Sequence, residues 1–178
     1  MLAWQGEGAP DAASAAAIAA MADGRWHEGA DALWAALSTQ LGSAWHYYHV
    51  GLALHQAGRL HEAENAYRTA IQIAPDWEAP HFNLAVALEA MGQRPQAVIA
   101  YRQLLEAHPM HADALFNLGH LYHGLRMHHQ AIVHWQAARK LAPKDAAVRQ
   151  NLKLLKRIAR TEAARRPKGV PMQERRAG

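Results

Sequence analysis

Hydrophobic positions recur along this chain in blocks that repeat every 34 residues. In the first half of each block, mostly apolar or small residues follow the i, i+3, i+4, i+7 spacing that predicts one face of an amphipathic helix. Three consecutive blocks carry these residues at Tyr47, Val50, Gly51 and Leu54, at His81, Leu84, Ala85 and Leu88, and at Leu115, Leu118, Gly119 and Tyr122. A fixed period of this length predicts stacked helix pairs, which form an extended surface rather than a sealed catalytic pocket.

The second half of each block predicts a second helix, which starts near Leu60, Arg94 or His128. An alanine for close helix contact and an aromatic ring for the next layer recur together, at Ala63 and Tyr67, Ala97 and Tyr101, and Ala131 and Trp135. A proline stops each second helix, at Pro75, Pro109 and Pro143. Between the two helices, Gly58 and Gly92 predict a left-handed cap, whereas Arg126 at the equivalent place leaves open a different turn.

The prolines set the boundaries of the predicted repeats. With each proline taken as position 32 of its block, full repeats span residues 44–77, 78–111 and 112–145. A degenerate copy spans residues 10–43, and its first helix, residues 11–22, is nearly all alanine. We expect that helix to be the weakest element, because it has little apolar area to bury.

Both ends of the chain depart from the repeat. Residues 146–166 predict a capping helix, with a basic face opposite an apolar stripe of Val148, Leu152, Leu155 and either Ile158 or Ala159. Residues 1–9 and the basic tail, residues 167–178, have no period and are predicted to be disordered.

The repeat resembles the tetratricopeptide repeat, and the resemblance covers residues 44–145 at nearly every signature position. It implies an all-α fold, a right-handed α-solenoid of antiparallel helix pairs, similar to bacterial tetratricopeptide proteins. It also implies a concave groove lined by the first helices, in which many members of the family bind a peptide. The repeats of O-linked N-acetylglucosamine transferases are similar and use a ladder of asparagines there. We therefore expect an adaptor that binds an extended, partly hydrophobic segment of a partner protein.

The resemblance also indicates which positions would line the groove. The sixth position of the repeat holds His49, Asn83, Asn117 and Asn151. The fifth and ninth positions hold Tyr48, Leu52, Phe82, Val86, Phe116 and His120, and the twelfth holds His55, Glu89 and His123. Two roles stay open for the asparagines: they would hydrogen-bond the backbone of a bound peptide, or they would hydrogen-bond only neighbouring helices. Two roles also stay open for the aromatic rings, which would anchor a partner or would pack between repeats. Repeats two to four place no Lys, Arg or Asn at the fifth and ninth positions, where the family's carboxylate clamp needs them, which excludes the acidic C-termini of chaperones as partners.

Charge is distributed unevenly and suggests an alternative. The net charge is +4, but residues 149–178 carry a net charge of +8 and residues 1–148 a net charge of −4. The alternative is an assembly or scaffold factor that contacts a complex, a membrane surface or nucleic acid through its convex face or its basic tail. Nucleic acid is disfavoured, because the basic end has no interleaved aromatic residues for base stacking. The basic end would otherwise be only a solvated helix face followed by a tail. Self-association through the exposed repeat ends also stays open.

Composition excludes several classes of chemistry. The chain has no cysteine and no run of eighteen apolar residues, so we expect a protein of the cytoplasm without a membrane span. The abundance of Ala, Arg, Gly and Trp indicates a bacterial source. We find no catalytic motif and expect neither an enzyme nor a cofactor. The chain has 13 histidines, but no acidic residue or cysteine lies near the cluster of His120, His123, His128, His129 and His134, so we expect no metal site, and a groove that senses pH stays open.

Overall fold

The computed structural model describes residues 12–39 and 43–165 of the 178-residue chain. Within these residues the fold is entirely α-helical, as predicted, with nine helices and no strand. The helices are α1 (Ala12–Ala22), α2 (Trp26–Thr39), α3 (Ala44–Gln56), α4 (Leu60–Ile73), α5 (Glu78–Ala90), α6 (Arg94–Ala107), α7 (Ala112–Gly124), α8 (His128–Leu141) and α9 (Ala146–Arg165). The two segments predicted to be disordered lie outside the described residues.

The described part of the chain forms two compact units, the first up to residue 114 and the second from residue 115 onward. In the first unit each helix from α1 to α5 packs against the next one along the chain. In the second unit α8 packs against α9 and also covers α7, because Trp135 of α8 lies against Gly119 of α7.

The core of each repeat consists of small residues that face an aromatic ring. Ala63, Ala97 and Ala131 are completely buried, and the aromatic residues four positions later are buried as well, which confirms the predicted layers. At Gly51 an added Cβ would lie 2.5 Å from the ring of Tyr67, and at Gly119 it would lie closer still to the ring of Trp135. The two glycines therefore make room for an aromatic side chain of the second helix.

The turn between the two helices of a repeat has one geometry, even where its residue is not glycine. Gly58 and Gly92 adopt the predicted left-handed conformation, with φ of 78° and 73°. Arg126 has φ of 63°, so this repeat has the same left-handed turn as the other two, although arginine rarely adopts that conformation. The hydrogen bonds agree, because Arg126 N–H donates to His123 O at 3.0 Å, as Gly58 N–H donates to His55 O at 3.0 Å.

Replacing Arg126 by glycine is expected to stabilise the protein by about 1 kcal/mol, because a side chain in the left-handed region costs roughly that amount. The free energy of unfolding in urea measures the gain. Gly92→Ala is the matched control, since an added Cβ there meets nothing within 4 Å and only the backbone strain changes. It is expected to lose a similar amount, and a destabilised Arg126→Gly variant would show that Arg126 is not strained.

The second helices end before the prolines, as predicted. α4, α6 and α8 each stop two residues ahead of Pro75, Pro109 or Pro143. The residue in between leaves the helical conformation, as at Ala74 with φ of −132° and ψ of 77°, because a proline disfavours α geometry in the residue before it. Each turn thus leads directly into the next first helix, which brings successive first helices of a unit side by side.

Candidate functional site

The first helices α3 and α5 present half-buried apolar side chains at equivalent positions. Tyr48 and Leu52 lie on α3, and Phe82 and Val86 lie on α5. The ring of Tyr48 packs 4.7 Å from that of Trp77, between centroids. The ring of Phe82 stacks on that of His111 at 4.9 Å and 17°. Tyr48 and Phe82 therefore each pack on the last residue of their own repeat and still keep part of their surface exposed.

Trp77 and His111 are the residues that sequence reasoning missed. They lie 34 residues apart at the last position of their repeats, so the period could have identified them. His111 has a second role, because its Nδ1 accepts a hydrogen bond from Ala114 N–H at 3.2 Å near the start of α7. These two rings support the apolar surface of α3 and α5, which we call the α3–α5 face and define by Tyr48, Leu52, Phe82 and Val86.

Asn83 connects two successive repeats. Its amide nitrogen donates to the hydroxyl of Tyr48 at 3.1 Å and to the carbonyl of Ala79 at 3.2 Å. Both amide hydrogens are thus used within the protein, which is the second of the two roles that the sequence left open for the asparagines. Burial raises the pKa of the Tyr48 hydroxyl, whereas the contact with Asn83 lowers it.

His49 occupies the asparagine position in its repeat but does not behave like Asn83. Only 2% of its surface is exposed. Its ring stacks on Trp45 with centroids 3.9 Å apart, and Nδ1–H donates to the Trp45 carbonyl at 2.8 Å. Burial lowers the pKa of His49, and the nearby His46 adds to this effect. We therefore correct the expectation that His49 lines a groove, because a buried imidazole has no surface to offer a partner.

The twelfth positions hold ionisable side chains beside the α3–α5 face. Burial raises the pKa of Glu89, although a long contact of 3.5 Å from the Tyr101 hydroxyl and the charge of Arg94 oppose this. Burial lowers the pKa of His55. The hydroxyl of Tyr67, at the position equivalent to Tyr101, is buried without a hydrogen-bond partner among the described residues. The α3–α5 face is thus bordered by the carboxylate of Glu89, to which the Tyr101 hydroxyl makes only a long contact.

The second unit carries its own set of the predicted side chains. Phe116 lies edge-on to His120 at 4.7 Å, and its carbonyl accepts a hydrogen bond from Trp135 Nε1–H at 2.9 Å. Asn151 of α9 donates through its amide to His120 Nε2 at 3.1 Å, so this asparagine too connects successive first helices. Asn117 and His123 are half-buried. Burial lowers the pKa of His120, and His123 lowers it further.

Two properties of the described residues limit the chemistry. No group of three or more His, Asp or Glu side chains in that part of the chain could hold a metal ion. None of the helices described is both long enough and apolar enough to cross a membrane.

Comparisons with known proteins agree with the repeat pattern. A family model described as "TPR repeat" matches residues 51–92, and one described as "Tetratricopeptide repeat" matches residues 82–146. A comparison with curated proteins finds no match.

Several solved structures share the fold at low sequence identity. MamA from Desulfovibrio magneticus RS-1 superposes with a TM-score of 0.76 at 18% identity, over 85% of this chain and 86% of that one. YrrB, described as a TPR protein with an unusual peptide-binding site, gives 0.71 at 20% identity over 80% and 76%. The first TPR of Spaghetti (RPAP3), bound to the HSP90 peptide SRMEEVD, gives 0.63 at 15% identity over 66% and 94%. Repeat register, helix order and family models together show that this chain belongs to the tetratricopeptide repeat family.

Proposed function

We propose that the protein is an interaction module that binds an extended, partly hydrophobic segment of a partner protein on the α3–α5 face. The observation that carries this proposal is the row of half-buried side chains on two successive first helices, Tyr48 and Leu52 followed by Phe82 and Val86. Apolar and aromatic side chains that are partly exposed on a rigid helical surface are suitable anchors for a peptide. Two structurally similar proteins, YrrB and the Spaghetti repeat, have peptide-binding sites, which supports the same use of the fold here.

The chemistry of the face indicates what such a segment contains. The proposed segment has apolar or aromatic anchors. It also has a hydrogen-bond donor or a basic side chain that faces Glu89, whose carboxylate receives a long contact of 3.5 Å from the Tyr101 hydroxyl. An acidic segment is disfavoured, because Tyr48, Leu52, Phe82 and Val86 provide no cation. In the second unit, Phe116, Asn117, His120, His123 and Asn151 are proposed to contribute a surface of the same kind.

The test is to place a charge on the α3–α5 face without disturbing the core. The double variant Leu52→Glu with Val86→Glu introduces two carboxylates at half-buried positions. Partners captured from native lysate by the wild-type protein are expected to fall more than tenfold in quantitative mass spectrometry, which is the range of interface hot spots.

The matched control is Ile99→Glu on α6, where the side chain is 55% exposed and lies on a second helix. It is expected to retain the same partners, and helicity measured by circular dichroism checks that every variant is folded. Retention of all partners by a folded double variant would refute the proposal, as would their equal loss in Ile99→Glu.

A further inference from the structure

The two units carry opposite charge. Residues 1–114 contain 12 acidic and 5 basic residues, whereas residues 115–178 contain 3 acidic and 14 basic residues. In the first unit several cations are paired locally, as Arg59 with Glu62 at 2.7 Å and Arg68 with Glu64 at 2.8 Å. From residue 115 to residue 160 the sequence has nine basic residues and a single acidic one, Asp145. The Oδ1 of Asp145 accepts a hydrogen bond from the N–H of Val148 at the start of α9. This single carboxylate can neutralise only one of the nine cations.

Four cations of the second unit line one cavity. A small open cavity between α8 and α9 is lined by Arg139, Arg149, Lys153 and Lys156, with Leu152 between them. No acidic side chain lines this cavity. The guanidinium of Arg149 is held in position by the carbonyls of Lys144 and Asp145, at 3.0 and 3.2 Å. Four cations around one cavity, without a counter-charge, form a site for an anionic group.

The orientation of α9 turns this basic surface outward. Val148 and Leu152 are 2–3% exposed and form the side of the helix that packs in the second unit. Arg149, Lys153, Lys156, Arg157 and Arg160 are exposed along the other side. Among them Leu154 is 40% exposed and lies beside Lys153 and Arg157. Val148 and Leu152 are therefore already used for packing, and the exposed side chains described on α9 offer cations together with Leu154.

We propose that this exposed side of α9, together with Arg139, binds the surface of an anionic phospholipid bilayer, with a lipid phosphate in the four-cation cavity. A polybasic helix face with an exposed leucine is suited to lie against charged headgroups, where the leucine contacts the acyl boundary. Nucleic acid is the other phosphate-bearing partner. It fits less well, because residues 144–160 contain no aromatic side chain on which a base could stack. This proposal is independent of peptide binding on the α3–α5 face.

The test measures co-sedimentation of the full chain with vesicles of phosphatidylcholine alone and of phosphatidylcholine mixed with phosphatidylserine. Binding is expected only to the mixed vesicles, and it is expected to vanish in about 0.5 M salt, since screening shortens the range of the attraction to a few ångströms. Each basic residue near an anionic surface contributes about fivefold to the partition coefficient. Lys153→Glu with Lys156→Glu changes four charge units and is expected to weaken binding about 600-fold, at fivefold for each unit.

The matched control is Arg68→Glu with Arg102→Glu, which gives the same net charge but alters exposed cations of the first unit. It is expected to bind mixed vesicles within a few-fold of wild type. The single variant Lys156→Glu provides an intermediate loss, and circular dichroism verifies the fold of each variant. The proposal is overturned if wild type does not sediment with mixed vesicles or if both double variants lose binding equally. It is also overturned if duplex or single-stranded oligonucleotides displace the protein from the mixed vesicles at a lower concentration than added phosphatidylserine does.

Discussion

Replacing Gly119 by alanine is expected to destabilise the protein by about 2 kcal/mol, because the new methyl group overlaps a buried ring. An added Cβ would meet Cδ1 and Nε1 of Trp135, which is only 1% exposed. The ring cannot retreat easily, since its Nε1–H donates to the Phe116 carbonyl at 2.9 Å. Urea unfolding followed by circular dichroism measures the loss.

Gly124→Ala is the control on the same helix, since an added Cβ there meets nothing within 4 Å. It is expected to be neutral or to stabilise by up to about 1 kcal/mol, from helix propensity. The equivalent positions of the third repeat hold Ala85 and Tyr101, both completely buried, so the double variant Gly119→Ala with Trp135→Tyr is expected to regain part of the loss. A neutral Gly119→Ala variant would show that the ring of Trp135 can move aside freely.

Acidification from neutral pH to pH 5 is expected to destabilise the protein, with His49 as a principal cause. Burial lowers the pKa of His49 in the folded state below its ordinary value of 6.5. Below about pH 6.5 the unfolded chain therefore takes up a proton that folded His49 does not accept. The free energy of unfolding then falls by up to about 1.4 kcal/mol per pH unit for this group, until the pH reaches the folded-state pKa.

His49→Asn tests this assignment, because asparagine is the residue at the equivalent positions of the other repeats. The variant loses the stacking on Trp45, so the pH dependence of its stability is compared rather than its absolute stability. It is expected to lose less stability between pH 7 and pH 5 than wild type does. His55 and His120 have lowered pKa values too, but they are more exposed and contribute less. An unchanged pH dependence in His49→Asn would remove His49 as the cause.

The boundaries of the helices could be predicted closely, because the repeat period, the turn residues and the prolines all indicate the same positions. The 34-residue period, the left-handed glycines and the prolines placed the second helices at their observed starting residues, Leu60, Arg94 and His128. Arg126 is the informative exception. The residue type at this position did not predict the turn, because an arginine side chain does not favour the left-handed conformation. The packing of α7 against α8 imposes that conformation all the same.

The candidate site was less predictable, because equivalent positions need not have equivalent neighbours. His49 shares its position with Asn83, but Trp45 stands four residues before His49 where Ala79 stands before Asn83. The indole gives the imidazole a ring to stack on and draws it into the core. The basic surface illustrates another limit, since the sequence located the charge near the C-terminal end but could not show that Arg139 and Lys153 line the same cavity.

The hydrogen bonds of Asn83 have a consequence for the energetics of recognition. A ligand that engages this amide must displace Tyr48 or the Ala79 carbonyl, so the total number of hydrogen bonds stays constant and their exchange yields little free energy. Affinity then has to come from dehydration of the hydrocarbon surface around Leu52 and Val86. The calorimetric signature of such an association is a negative change in heat capacity.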